Sequence, residues 1–217
     1  MKLKKFLSLL FILNKMPDEK SACERYKRLK VNDFPSIDQD DLPNEFSMDA
    51  FGTVDEFIKK TVNLDFECLL YFDYQTGEIL DCAIGDSNGV TIDFDEEKFK
   101  KHHVASIHNH TKDVFSPPSG KNFGILMREF EDFELIAGVN ELWILKANGV
   151  DMGLNMELKV FADLLLDSCQ DFCRKRYDDN KADDVCDIMY GILLSNYIND
   201  KNINHIQLTK RSLNHGY

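Results

Sequence analysis

Two histidines spaced by one residue, His108 and His110, close a short apolar run at 104–107, and their types and spacing are suited to holding a metal ion. The run has a β-branched residue at each end, so it reads as a buried strand. Side chains at i and i+2 of a strand point the same way, and two imidazoles so placed can reach one ion. Ser116, Pro117, Pro118, Ser119 and Gly120 follow, a composition that forbids helix and central strand alike and makes a rigid loop. A helix is expected to begin near Ser119, a good N-cap, with Phe123, Leu126, Met127 and Phe130 on one face. That start turns Asn122 back toward the histidines as a possible third ligand.

An acidic residue at the head of an apolar run stands out upstream. Glu67 opens an otherwise apolar run, and Gln75, Thr76 and Gly77 then form a turn before a returning strand. The pattern is a β-hairpin with an acid at its head.

These residues resemble the metal signature of the JAB/MPN (JAMM) metalloproteases, His-x-His, a Pro/Ser loop and Ser-x-x-Asp. His-Asn-His is similar to the RadC-type and the bacterial and phage JAB-like branches, and the resemblance covers residues 67–149. It implies an α/β fold of cytidine-deaminase-like type, a central mixed β-sheet flanked by helices, with helical extensions at both ends of the chain. It also implies Zn2+ held by His108 and His110, a general base at Glu67, and Ser119 stabilising the oxyanion of a tetrahedral intermediate. Asn122 stands at the position of the family's aspartate, where an amide oxygen can coordinate but brings no charge. Thr111 replaces the usual proline, the loop is one residue longer than the common form, and Asp113 is an alternative ligand within it. The implied function is a zinc metallopeptidase or isopeptidase acting on a peptide or ubiquitin-like conjugate. Its alternative is a catalytically silent JAB-like protein-binding module that has lost the metal through Asn122.

The remaining sequence supplies the frame. The 217 residues are 43% hydrophobic, enough for one good core with appendages, divided here as 1–44, a JAB/MPN-like domain at 45–155 and C-terminal helices at 156–217. A net charge of -12 argues against nucleic acid, and so against a DNA-associated RadC-type role, and leaves a protein or peptide as partner. Lys2, Lys4 and Lys5 precede an apolar run at 6–13; it has the outline of a signal peptide, but it lacks a cleavage site, is too short to span a bilayer, and is read as a packed or amphipathic helix. The six cysteines Cys23, Cys68, Cys82, Cys169, Cys173 and Cys186 contain no Cys-x-x-Cys pair and are read as buried free thiols of a cytoplasmic protein.

The same reading expects a helix at 49–61 with Phe51, Val54, Phe57 and Ile58 on one side, and a strand after the Asn88-Gly89 turn. A helix over 93–103 and strands at 133–139 and 142–147 follow, with Trp143 in the core. Two helices at 156–177 and 184–198, the second carrying Ile188, Ile192 and Leu193, close one sheet face. His102 and His103 are placed at the surface, and the polar tail 209–217 is expected to fray.

Overall fold

A computed structural model describes residues 19–87, 89–92, 96–111, 117–200, 203 and 205–216, and the side chains of 19–21 and 179–180 are not described. In chain order the elements are α1 (Glu19–Lys27), α2 (Met48–Thr61), β1 (Cys68–Asp73), β2 (Ile79–Ile84) and α3 (Glu96–Phe99). Then come β3 (Val104–Asn109), a 3-10 helix (Asn122–Met127), β4 (Glu131–Ala137), β5 (Glu141–Ala147), α4 (Met152–Arg174), α5 (Asp179–Asp200) and β6 (Ile206–Ser212). The six strands form one mixed sheet in the order β2-β1-β3-β4-β5-β6, antiparallel throughout except for the parallel pair β3 and β4.

The two-residue period of the strands sorts their side chains between the faces. Leu70, Phe72, Ala105, Ile107, Phe133, Leu135 and Ile144 face one way and are covered by α2 through Ala50, Val54, Phe57 and Ile58, and by Tyr26 of α1. The start of α2 is set locally: the Ser47 hydroxyl accepts the N–H of Ala50 at 3.1 Å, the N-cap that the first turn requires. On the opposite face Ile136, Trp143, Leu145, Ile206 and Leu208 are covered by the hairpin of α4 and α5. That hairpin covers the β4-β5-β6 half; on the other half Phe99 and Phe130 pack over Tyr71 and Val104, and beside them, above β1 and β3, lies the site.

The β1–β2 turn follows its sequence. Asp73 Oδ1 accepts the N–H groups of Gln75 and Thr76 at 2.9 and 3.1 Å, an Asx-type turn. Gly77 has φ +73°, and a Cβ there would stand 2.6 Å from the backbone of Asp49. Only glycine meets both conditions.

Several expectations are corrected. The tail is not frayed: β6 pairs with β5 over seven positions, from Glu141 with Ser212 to Ala147 with Ile206, because Ile206 and Leu208 add an apolar face that α4 and α5 cover. Ile188, Ile192 and Leu193 are 58%, 55% and 43% exposed, so they point away from the sheet. The buried line of α5 is Ala182, Cys186, Tyr190, Leu194 and Ile198, a repeat of four carried partly by residue types that hydropathy patterns underweight. After β2 there is an isolated bridge between Asp86 and Gly89 rather than a further strand, and the helix expected over 93–103 is formed at Glu96–Phe99, residues 93–95 lying outside the described ones. The segment 6–13 also lies outside them. Among the described residues no helix is long and apolar enough to cross a membrane.

The cysteine reading holds for Cys68, Cys169, Cys173 and Cys186, which are free and buried, and fails for Cys23 and Cys82, which are disulfide-bonded across 59 positions. Packing of α1 over β2 brings their Cα atoms to 5.1 Å, a proximity that no spacing rule reveals. Closing a loop of this length removes about 4 kcal/mol of unfolded-state freedom on the chain-entropy model. Cys23→Ser/Cys82→Ser is therefore expected to melt several degrees lower than the oxidised protein, and reductant should lower the wild type to match. Coincident melts would show that packing alone holds α1.

Candidate functional site

Five separated segments meet beside the half of the sheet that the helical hairpin covers. β3 is central, paired with β1 and β4, so Ser106 and His108 rise from the middle of the sheet beside Leu69 and Tyr71 of β1 and Glu134 of β4. Together with Glu67, His110, Ser119, Asn122, Lys121, Arg128, Val90 and Leu166, they line a cavity of about 540 Å3. Every residue that sequence analysis picked for the site, Glu67, His108, His110, Ser119 and Asn122, is on this wall. Asp113, the alternative ligand, lies outside the described residues.

The middle residue of His-Asn-His has a structural task. The side chain of Asn109 points to the other sheet face, where its Oδ1 accepts the N–H of Cys68 at 2.7 Å and its Nδ2 donates to the carbonyls of Thr61 and Phe66 at 3.2 and 3.0 Å. It ties the end of β3 to the segment carrying Glu67. Glu67 is further held by backbone bonds, its N–H to Asp86 and its carbonyl to Gly85. Burial raises the proton affinity of its carboxyl, against the opposing pull of Lys121 and the N–H of Val90.

His108 and His110 are each 8% exposed, with ring centroids 5.2 Å apart. Burial first, and then the neighbouring His110 and Arg128, hold His108 well below the ordinary histidine pKa, so it is a neutral imidazole. His102 lies elsewhere, its Nδ1 3.2 Å from Asp73 Oδ2.

The Pro/Ser loop is fixed from above. Tyr190 of α5 donates to the carbonyl of Pro118 at 2.8 Å, and a Cβ on Gly120 would meet Asp163 and the backbone of Lys159 on α4 at under 3 Å. The segment after Ser119 is a 3-10 turn beginning at Asn122, not the α-helix expected. Phe130 leaves that face to stack on Phe99 at 5.1 Å, and Met127 is exposed. The chain reaches β4 before an α-helix can close.

The orientation of Asn122 decides what the site can hold. Its Oδ1 accepts from the N–H of Ser119 at 2.7 Å and the hydroxyl of Ser119 at 3.0 Å. Its Nδ2 donates to Glu134 Oε1 at 2.8 Å and stands 3.4 Å from His108 Nε2. A backbone N–H can only donate, so the oxygen must face Ser119 and the NH2 must face the histidine. As it sits, Asn122 offers no lone pair toward His108. Two imidazoles with an amide donor do not make the three-ligand set that a catalytic zinc requires. Among the described residues no group of three His, Cys, Asp or Glu side chains is placed to hold a metal ion.

Beneath lies a charged network that sequence analysis missed. Arg128 Nη1 meets Glu131 Oε2 at 2.5 Å and Glu134 Oε2 at 3.6 Å, and Ser106 donates to the other oxygen of Glu131. Burial, with Glu131 adding to it, pushes the Glu134 carboxyl up from 4.5 to about 8, against the pull of Arg128. The available signal was an acid inside an apolar strand, Phe133-Glu134-Leu135, where alternation turns Glu134 inward.

A scan against protein-family models, a search of curated proteins and a search of solved structures each returned no match.

Proposed function

We propose that this chain is a JAB/MPN-like domain whose cavity binds a protein or peptide segment and does not work through a resident zinc. The observation that supports this reading is the Asn122 amide, which turns a donor to His108 where a metal site needs an acceptor. The cavity is otherwise suited to an extended chain: Leu69, Val90 and Leu166 give apolar wall, and Glu67, Lys121, Ser119 and the histidines give convergent polar groups. Peptides selected from a random display library on the wild-type protein should lose about tenfold or more in affinity on Leu69→Trp, which fills the cavity. Selected peptides that bind both proteins equally would move recognition elsewhere.

One observation favours the second reading, a JAMM-type zinc peptidase or isopeptidase. Glu67, with its proton affinity raised by burial, shares the cavity with both histidines, as a general base should. Quenched peptides and a lysine-linked isopeptide, incubated with the protein and Zn2+, separate the two. The binding-module reading expects no turnover that Glu67→Gln abolishes, and zinc-dependent turnover lost in Glu67→Gln would replace it with the peptidase.

A further inference from the structure

The two ends of the Asn122 amide face opposite demands, and neither can be reversed without cost. Ser119 presents two donors to its oxygen, one of them a backbone N–H that no side-chain rotation removes. Glu134 presents a carboxyl oxygen to its nitrogen. Turning the amide over would set NH2 against the backbone N–H of Ser119 and break the hydrogen bond to Glu134 Oε1, inside a site where Asn122 is 6% and Glu134 5% exposed. Unmatched polar groups at such depth are among the costliest arrangements a fold can hold.

We infer that the Asn122 amide nitrogen occupies the structural place of a cation in this cavity, joining His108 Nε2 to the carboxyl group of Glu134, with Ser119 and Glu134 as the positioning residues that keep the site closed to divalent metals. The inference rests on the binding-module reading and adds the device behind it. A cation and an amide NH2 make the same demand of these neighbours, a lone pair from an imidazole nitrogen and one from a carboxyl oxygen. Glu134 therefore stays paired on Oε1 without metal, although its Oε2 receives no hydrogen bond. A carboxylate at position 122 would reverse this. One oxygen could still accept from Ser119, and the other would bring a lone pair toward His108 and a second carboxyl group beside Glu134. Two carboxyl groups so close are held together by a shared proton or by a cation.

The test uses Co2+ as probe, because a tetrahedral Co2+ site absorbs visibly and reports geometry as well as occupancy. The full-length wild type, Asn122→Asp, Asn122→Asp/His108→Ala and Asn122→Asp/Glu134→Gln are titrated with CoCl2, with stoichiometry from native mass spectrometry. Asn122→Asp is expected to take up about one Co2+ per chain, about 100-fold or more tighter than the wild type. Loss of His108 should abolish the uptake, and loss of the Glu134 carboxyl should weaken it about tenfold. Wild type that binds Co2+ as tightly as Asn122→Asp overturns the inference, as does a folded Asn122→Asp that binds none. Should Asn122→Asp fail to fold without metal, Asn122→Asp/Glu134→Gln carries the same test with the carboxylate pair removed. Failure here is distinct from failure of the binding-module reading, which falls on Glu67-dependent hydrolysis by the wild type.

Discussion

Replacing Arg128 by methionine is expected to destabilise the protein by about 3–5 kcal/mol at pH 7, the scale for stripping one partner from a buried ionic cluster. One guanidinium lies against two buried carboxyl groups here: Glu131 is 2% and Glu134 5% exposed, and both face Arg128. The cost should also depend on pH. Glu134 titrates near 8 in the folded chain against an ordinary 4.5, so between these values the native state holds a proton that the unfolded state releases. Its effect is to make stability greatest below about pH 4.5 and to erode it as pH rises through 8. Removing Arg128 withdraws the only pull opposing that shift besides Asn122, so Arg128→Met should cost more at pH 8 than at pH 5. Urea unfolding at the two values measures it, and adding Glu131→Gln and Glu134→Gln should restore most of the loss. A cost below about 1 kcal/mol at pH 7 would mean that the cluster is hydrated enough to need no cation.

The second large effect is expected from ending the chain after residue 205. The deletion removes Ile206, Leu208 and Leu213, which are 1%, 8% and 7% exposed, a loss of about 5 kcal/mol or more from apolar burial alone. It also strips one of the two hydrogen-bonded partners of β5 along its whole length and uncovers an edge ready to pair with other chains. The shortened protein should elute as aggregate on size exclusion and show no cooperative melt. A monomer melting within a few degrees of the full chain would reduce β6 to an ornament of the sheet.

The candidate site was more legible than its surroundings. His108, His110 and Asn122 were chosen on residue type and short spacing, Ser119 and Glu67 on the resemblance that those residues carry, and all five line one cavity. Spacing works at that range because backbone geometry fixes where neighbours i and i+2 or i+3 can point. Arg128, Glu131 and Glu134 were missed because their meaning is relational: an acid in a strand looks like an edge residue until its burial is known. Asn109 was passed over for the same reason, since it faces away from the histidines it accompanies and works through bonds to residues more than 40 positions away.

By itself the sequence determined the local elements: the hairpin with its Asx turn and Gly77, the strand that ends in two histidines, and the α2 helix with its Ser47 cap. Apart from the close approach of Asp49 to Gly77, each depends on interactions within a few residues, where propensity and steric limits act alone. Tertiary structure decided what no local rule contains. It drew the polar tail into the sheet as β6, because burial of Ile206 and Leu208 outweighs the polarity between them. It joined Cys23 to Cys82 by laying α1 across β2. It also turned the amide of Asn122, whose orientation follows from a donor at Ser119 and a carboxylate at Glu134. That last choice is the one on which the chemistry of the cavity depends.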